Sequence, residues 1–217
     1  MAVERLSPSA RAEIVSVLCE AFHEYPVMRF VIGDDGERLA AGPIGSEQLE
    51  AYERRLYSLV DFFVQARLSR EEPVLGVTQS GRLLGAALVT PPGERGLPET
   101  LAQHREQLWS ELGGAARERY AAFVRATSTF TIDRPHYHLN MIGVRRAHAG
   151  RGLARRLLDA VHELSASDAA SRGVTLTTED PDKVTLYEHF GYRRVGHVRV
   201  ADDLESWGFV RTDSPHG

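Results

Sequence analysis

The stretch "RRAHAGRGLARRLLDA", residues 145–160, decides how the rest of the chain is read. It sets two glycines and five arginines at the front of an amphipathic helix. Leu153, Leu157, Leu158, Val161 and Leu164 recur at helical spacing as one apolar stripe, which leaves the side of Arg155 and Arg156 polar. The first turn of a helix has N–H groups without intrahelical partners, and the helix dipole is positive there. Gly150 and Gly152 let an anion reach that backbone without obstruction by side chains. A P-loop is excluded, because Gly152 is followed by Leu153 and Ala154 rather than by Lys-Ser/Thr. A Rossmann turn fits poorly: five residues separate Val144 from Gly150, and Arg155 stands at the third glycine position. Two readings remain, a longer strand-to-helix loop that receives a pyrophosphate and a loop that is merely rich in glycine.

The surroundings read as alternating elements. "HYHLNMIGV" (136–144) is a strand leading into the quoted helix, "GVTLTTE" (173–179) is the next strand, and "DPDKVTLYEHF" (180–190) is a short helix that Gly191 caps. "YRRVGHVRV" and "WGFVRT" close the chain as an antiparallel pair. Toward the N-terminus, residues 97–126 are helical and divided at Gly113 and Gly114. "PVLGVTQSGRLLGAALVTPP" forms two strands around a turn at Ser80 and Gly81. Residues 47–67 form a helix on Leu49, Tyr52, Leu56, Leu59, Val60 and Phe63, and "GDDGERLAAGPIG" before it is a loop. The first helix starts at Ser7 and Pro8 as cap and first turn, and runs through Ile14, Leu18, Ala21 and Phe22. It stops near "YPVMRF", because Pro26 disfavours helical geometry at Tyr25. The order fits a mixed α/β fold with one central sheet flanked by helices, not a bundle or a β-sandwich.

Composition narrows the class. A chain of 217 residues is one domain, given a usual domain length of ~100–200 residues. Cys19 is the sole cysteine, so no intrachain disulfide forms, and it reads as a small core hydrophobe rather than a nucleophile. The formal charge of −4 argues against a nucleic-acid partner. Nearly all cations are arginine, with Lys183 the only lysine, and most of the paired arginines read as solvated faces. "MAVERLSPSA" lacks the apolar core of a signal peptide, and no apolar run nears the ~18 residues of a spanning helix, so a cytoplasmic protein without a membrane partner is expected.

Taken together, "IGVRRAHAGRGLA", a strand, and "TLYEHFGYRRVG" resemble the GCN5-related N-acetyltransferase (GNAT) superfamily. The resemblance covers roughly residues 130–200, and a helical insertion before the motif strand is similar to the puromycin N-acetyltransferase branch. It implies a GNAT-like sheet in a single domain over 1–217, with N-terminal helices and hairpin at 1–92, the insertion at 93–130 and the acetyl-CoA-binding core with C-terminal strands at 131–217. The family's Gln/Arg-x-x-Gly-x-Gly/Ala loop cradles the pyrophosphate of acetyl-CoA. It maps onto Ala149, Gly150, Arg151, Gly152, Leu153 and Ala154, with Arg155 beside it. Ala149 departs from the Gln/Arg and loses a side-chain contact, not the backbone cradle. By the same resemblance, Met141, Ile142, Gly143 and Val144 lie where a splayed strand pairs with the pantetheine arm, and an N–H near Val144 faces the developing oxyanion. Asp180 stands where many relatives carry an asparagine that contacts the cofactor.

For the chemistry, Tyr187 matches the tyrosine placed near the thioester sulfur. A phenol, with a reference pKa of ~10, keeps its proton at neutral pH and can donate it to the leaving thiolate. His138 lies where some relatives place the base. Alternation sets it on one face with His136 and Asn140, at least before any bulge, and a structural histidine fits as well. Glu179 and His136 are reserve bases. The implied activity is transfer of an acetyl group from acetyl-CoA to the primary amine of a small molecule, without a metal, in a protein for which a homodimer is allowed. A non-enzymatic acyl-CoA sensor and a protein N-acetyltransferase stay open beside it.

Overall fold

The computed structural model describes residues 1–33, 46–93 and 96–213. Seven strands form one sheet: β1 (Val3–Arg5), β2 (Val74–Gln79), β3 (Arg82–Thr90), β4 (Tyr137–Val144), β5 (Gly173–Thr178), β6 (Arg193–Ala201) and β7 (Leu204–Thr212), in the order β1-β2-β3-β4-β5-β7-β6. Every neighbouring pair is antiparallel except β4 and β5, which run parallel. The helices are α1 (Arg11–Phe22), α2 (Pro26–Ile32), α3 (Ser46–Ser69), α4 (Glu99–Leu112), α5 (Gly114–Thr127), α6 (Leu153–Ser167) and α7 (Val184–His189). The mixed α/β sheet flanked by helices is thus present, with the insertion as α4 and α5, split at Gly113 as its φ of +88° requires. None of the described helices is long and apolar enough to cross a membrane.

Each face of the sheet carries its own core. Helices α1 to α5 cover one face around Ile14, Leu18, Leu56, Val60 and Leu88. Helix α6 covers the other, burying Leu153, Leu157, Leu158 and Val161 against Ala87, Val89 and Leu139. This is the stripe read from the sequence, and full burial of a side chain of this size contributes ~1.5–3 kcal/mol. Gly143 lets α1 approach β4 closely: a methyl group on it would lie 2.6 Å from the Ala21 Cβ. Helix α1 is tied to α3 by Arg11, whose Nε donates to Asp61 Oδ1 at 2.7 Å.

Several expectations need correction. Helix α1 ends at Phe22, before Tyr25, as expected, but Pro26 also opens an unforeseen helix, α2, occupying a first-turn position where its missing N–H costs nothing. Tyr25, extended at ψ 132°, is its N-cap. Ser7 makes no capping bond to the backbone; its hydroxyl pairs with Ser9 Oγ at 2.7 Å, and a 3-10 turn at Pro8–Ala10 leads into α1. Strand β1 escapes a periodicity reading because it is three residues long at the sheet edge. Arg145 is no solvated-face arginine: its Nε donates to Leu83 O at 3.0 Å and its Nη1 to Glu20 Oε2 at 2.9 Å, fastening the end of β4. Burial raises the Cys19 thiol to about 12, consistent with a core role. The "GDDGERLAAGPIG" loop lies, beyond its first glycine, outside the described residues.

Candidate active site

The site begins where two parallel strands part. The β4–β5 ladder runs from Tyr137 opposite Val174 to Leu139 opposite Leu176 and ends there, although both strands continue. On the other side of β4 the register against β3 slips: Met141 pairs with Leu88 while Leu139 pairs with Val89, so Asn140 is a bulge residue. Its Oδ1 accepts from Thr90 Oγ1 at 2.8 Å. A bulge bends and twists its strand, and here the bent half of β4 keeps β3 as partner while its other edge loses β5. Met141, Ile142, Gly143 and Val144 lie on this half and all pair with β3. The bulge also resets side-chain alternation. Tyr137 and Leu139 belong to the α6-side core and Met141 to the opposite one, so the single face expected for His136, His138 and Asn140 does not persist through Asn140.

A cavity of 660 Å³ fills the gap between the strands. Ala154 and Leu158 of α6, Tyr187 of α7 and Phe190 just after it line the cavity on the α6 side of the sheet, and Phe63, Arg67, Tyr120 and His138 line it as well. Asn140, Met141 and Ile142 of β4 also line it, with Thr177, Thr178 and Glu179 at the end of β5. Two sequence-derived candidates, Tyr187 and His138, therefore meet in one cavity from opposite sides of the sheet. His136 lies outside it, its Nδ1 2.6 Å from Arg134 O.

His138 is held by Thr175, whose Oγ1 lies 3.0 Å from Nδ1. The same hydroxyl lies 3.3 Å from Tyr137 O, so Nδ1 is occupied by Thr175 and Nε2 is the ring nitrogen without a protein partner among the described residues. Burial, with His136 and Arg67 adding to it, pulls the imidazole down to about 4. Tyr187 packs edge-on to Tyr192, ring centres 5.8 Å apart, and tilts against Phe209 at the same separation. Burial, then the carboxylates of Glu179 and Asp180, raise its pKa well above that of a free phenol. Glu179 is 5% exposed and accepts from Ser206 Oγ at 2.7 Å; burial raises its pKa in spite of that bond.

Tyr25 was not among the sequence candidates. Its hydroxyl lies 3.0 Å from Thr178 Oγ1 and accepts from Glu179 N at 3.1 Å, joining the start of α2 to the end of β5 where the strands diverge. The proline after it was the signal, had it been read as a helix start. Arg67 was also missed, because a polar residue within a helix carries no local mark of facing a cavity.

The glycine turn suits an anion. Gly150 and Gly152 adopt φ of +73° and +75°, a left-handed conformation that side chains disfavour, and a methyl group on either would touch nothing within 4 Å. Gly152 is the N-cap of α6. Among the described residues, the N–H groups of Arg151, Gly152, Leu153, Ala154 and Arg155 have no carbonyl partner. The backbone here is open, donor-rich and followed by the positive end of a helix dipole, so it fits a diphosphate. Ala149 ends the 3-10 turn at Arg146–His148 and directs the chain into this loop. Asp180 lines the cavity, and its Oδ1 accepts from Asp182 N at 3.0 Å, so its carboxylate also caps the turn that precedes α7. Gly191 N donates to Glu188 O at 3.0 Å and ends that helix as expected.

A seven-stranded sheet parted at its parallel pair, with an anion-receptive turn on one side, is the architecture of an acyltransferase. A family model described as acetyltransferase (GNAT) domain matches residues 104–212, and the chain belongs to that family. Solved structures share the fold. A Corynebacterium glutamicum protein described as histone acetyltransferase HPA2 and related acetyltransferase is 19% identical, with 99% of this chain and 97% of that chain covered at a TM-score of 0.64. The polyamine N-acetyltransferase of Drosophila melanogaster, which forms N-acetylagmatine, is 15% identical over 97% of this chain and 98% of its own, with a TM-score of 0.60. A mosquito arylalkylamine N-acetyltransferase-like protein is 13% identical, with coverage of 97% and 98% and a TM-score of 0.56. No curated protein matches the chain by sequence.

Proposed function

We propose that the protein moves the acetyl group of acetyl-CoA to the primary amine of a small molecule by direct attack, acting as one acetyltransferase domain over residues 1–217 in the cytoplasm. The observation that carries this reading is the cavity between β4 and β5, which both Tyr187 and His138 line. Small amines in the names of the fold relatives, polyamine, agmatine and arylalkylamine, support it. The layout of α4 and α5 between the hairpin and β4 supports the narrower likeness to the puromycin N-acetyltransferase branch.

When bound, acetyl-CoA supplies an activated acyl carbon and a thiolate leaving group. The N–H groups at 151–155 hold its diphosphate, and the unpaired edge of Met141, Ile142, Gly143 and Val144 holds the pantetheine arm. An imidazole with a pKa of about 4 does not strip an alkylammonium whose reference pKa is ~10.4, so the amine arrives neutral. His138 Nε2 orients it and takes its proton as the carbon–nitrogen bond makes that nitrogen acidic. Tyr187 Oη holds its proton more firmly than a thiol of reference pKa ~8.5 does, so it stabilises the departing sulfur as a hydrogen-bond donor and does not surrender the proton outright. The sulfur collects a proton from water.

The test is purified protein with acetyl-CoA and a panel of small amines, following free thiol and the mass of the acetylated product. Transfer to at least one amine, lost in Tyr187→Phe, is the expected result. Thiol release without any acetylated amine removes the reading.

A further inference from the structure

The cavity wall contains a cation that the acetyl-transfer chemistry does not use. Arg67 rises from the last turns of α3, one turn after Phe63, and its side chain is 13% exposed. Its Nε is buried without a hydrogen-bond partner. Its ion-pair partner, Glu72 Oε2, is 3.6 Å away, beyond hydrogen-bond reach. That carboxylate is also approached by Arg70, whose Nη2 donates to Oε2 at 3.3 Å and whose Nε lies 3.0 Å from Oε1 but donates to Ala66 O at 3.1 Å, leaving Oε1 without a hydrogen bond. Two guanidiniums thus share one carboxylate, and Arg67 is the one that lines the cavity. The other cavity carboxylates are engaged elsewhere. Glu24 accepts from Arg29 Nη2 at 2.6 Å, Glu179 accepts from Ser206, and Asp180 lies 3.9 Å from Lys183 Nζ. Burial depresses the basicity of Arg67, the signature of a charge short of solvation. A poorly compensated buried charge is costly unless something else neutralises it. The surrounding wall is apolar and aromatic: Phe63, Tyr120 and Phe123 line the cavity beside it, with the Phe63 and Tyr120 rings 6.2 Å apart.

We propose that the acceptor carries, besides its amine and an apolar body, a carboxylate-like anionic group, and that Arg67 is the specificity-determining residue that receives it. This assignment rests on the acetyltransferase reading above. It also sets this enzyme apart from a polyamine acetyltransferase, because a second cation on the acceptor would meet Arg67 with repulsion.

The test compares acceptors that differ only by a carboxylate, phenylalanine against phenethylamine and para-aminomethylbenzoate against benzylamine, with agmatine as a dication. For at least one pair, the carboxylate-bearing member is expected to have a kcat/KM about 10- to 100-fold higher, carried mainly by KM, the range of a charge-assisted hydrogen bond. Agmatine is expected to be poor. Arg67→Met should erase the preference and Arg67→Lys should restore part of it. Arg70 stays with Glu72 in both variants, and an unchanged affinity for acetyl-CoA verifies that they fold. Transfer to amines with no carboxylate preference, or a preference that survives Arg67→Met, overturns the assignment and leaves the acetyltransferase reading standing. No transfer to any amine overturns both.

Discussion

His138→Gln isolates the consequence of holding an imidazole neutral inside the cavity. In the folded chain burial pulls its pKa from 6.5 to about 4, whereas in the unfolded chain it titrates near the ordinary value. The unfolded state therefore binds a proton that the folded state refuses. Stability is complete above pH 6.5, falls as pH drops through the window from 6.5 to 4, and is fully reduced below it. A shift of this size corresponds to ~3–4 kcal/mol at most, at 1.36 kcal/mol per unit, and to ~2–3 kcal/mol at pH 4.5, which screening by water entering the cavity reduces to about 2 kcal/mol. Glutamine does not titrate, so the variant lacks this loss. Urea unfolding of both proteins between pH 7.5 and pH 4.5 gives the comparison. The stability difference between wild type and variant should move in favour of the variant by about 2 kcal/mol as the pH falls. His162, also held near 4 by burial, contributes its own acid sensitivity equally to both proteins and cancels. Parallel stability curves would show that His138 titrates normally and that burial does not hold its imidazole neutral down to about pH 4. In activity, the acidic limb belonging to His138 should lie near pH 4, so kcat/KM around neutrality follows ionisation of the acceptor alone.

Three other outcomes are expected. Gly152→Glu places a side chain at a φ of +75° and a negative charge at the anion turn; acetyl-CoA affinity should fall at least ~10-fold by calorimetry, with stability down by ~1–2 kcal/mol. Tyr187→Phe keeps the ring contacts with Tyr192 and Phe209 but removes the hydroxyl, and kcat should drop ~10²–10³-fold with little change in acetyl-CoA affinity; a kcat equal to wild type assigns Tyr187 to packing. Gly143→Ala drives a methyl group to 2.6 Å from Ala21 Cβ, which should cost ~1–3 kcal/mol in thermal unfolding as α1 is forced off β4; an unchanged melting temperature would mean that the two elements separate freely.

What the sequence determined by itself is what a few consecutive residues encode. The stripe of α6, the turn glycines at 150 and 152 and the cap at Gly191 are local: each follows from helical periodicity or from a backbone conformation that only glycine adopts freely. The hairpin of β2 and β3 and the split between α4 and α5 were legible for the same reason. Tertiary structure alone decided where β4 and β5 part, because the bulge at Asn140 arises from a register mismatch with β3, some fifty residues upstream. It alone brought Tyr25 to Thr178 across 153 positions, and set Arg67 and His138 in the wall of one cavity. The pKa of His138 belongs to the same class. Desolvation is a property of what surrounds a side chain, and here the surroundings come from strands and helices far apart in the chain. A histidine in the right strand was visible from its neighbours in sequence; whether it carries a proton at pH 7 depended on the neighbours that folding supplied.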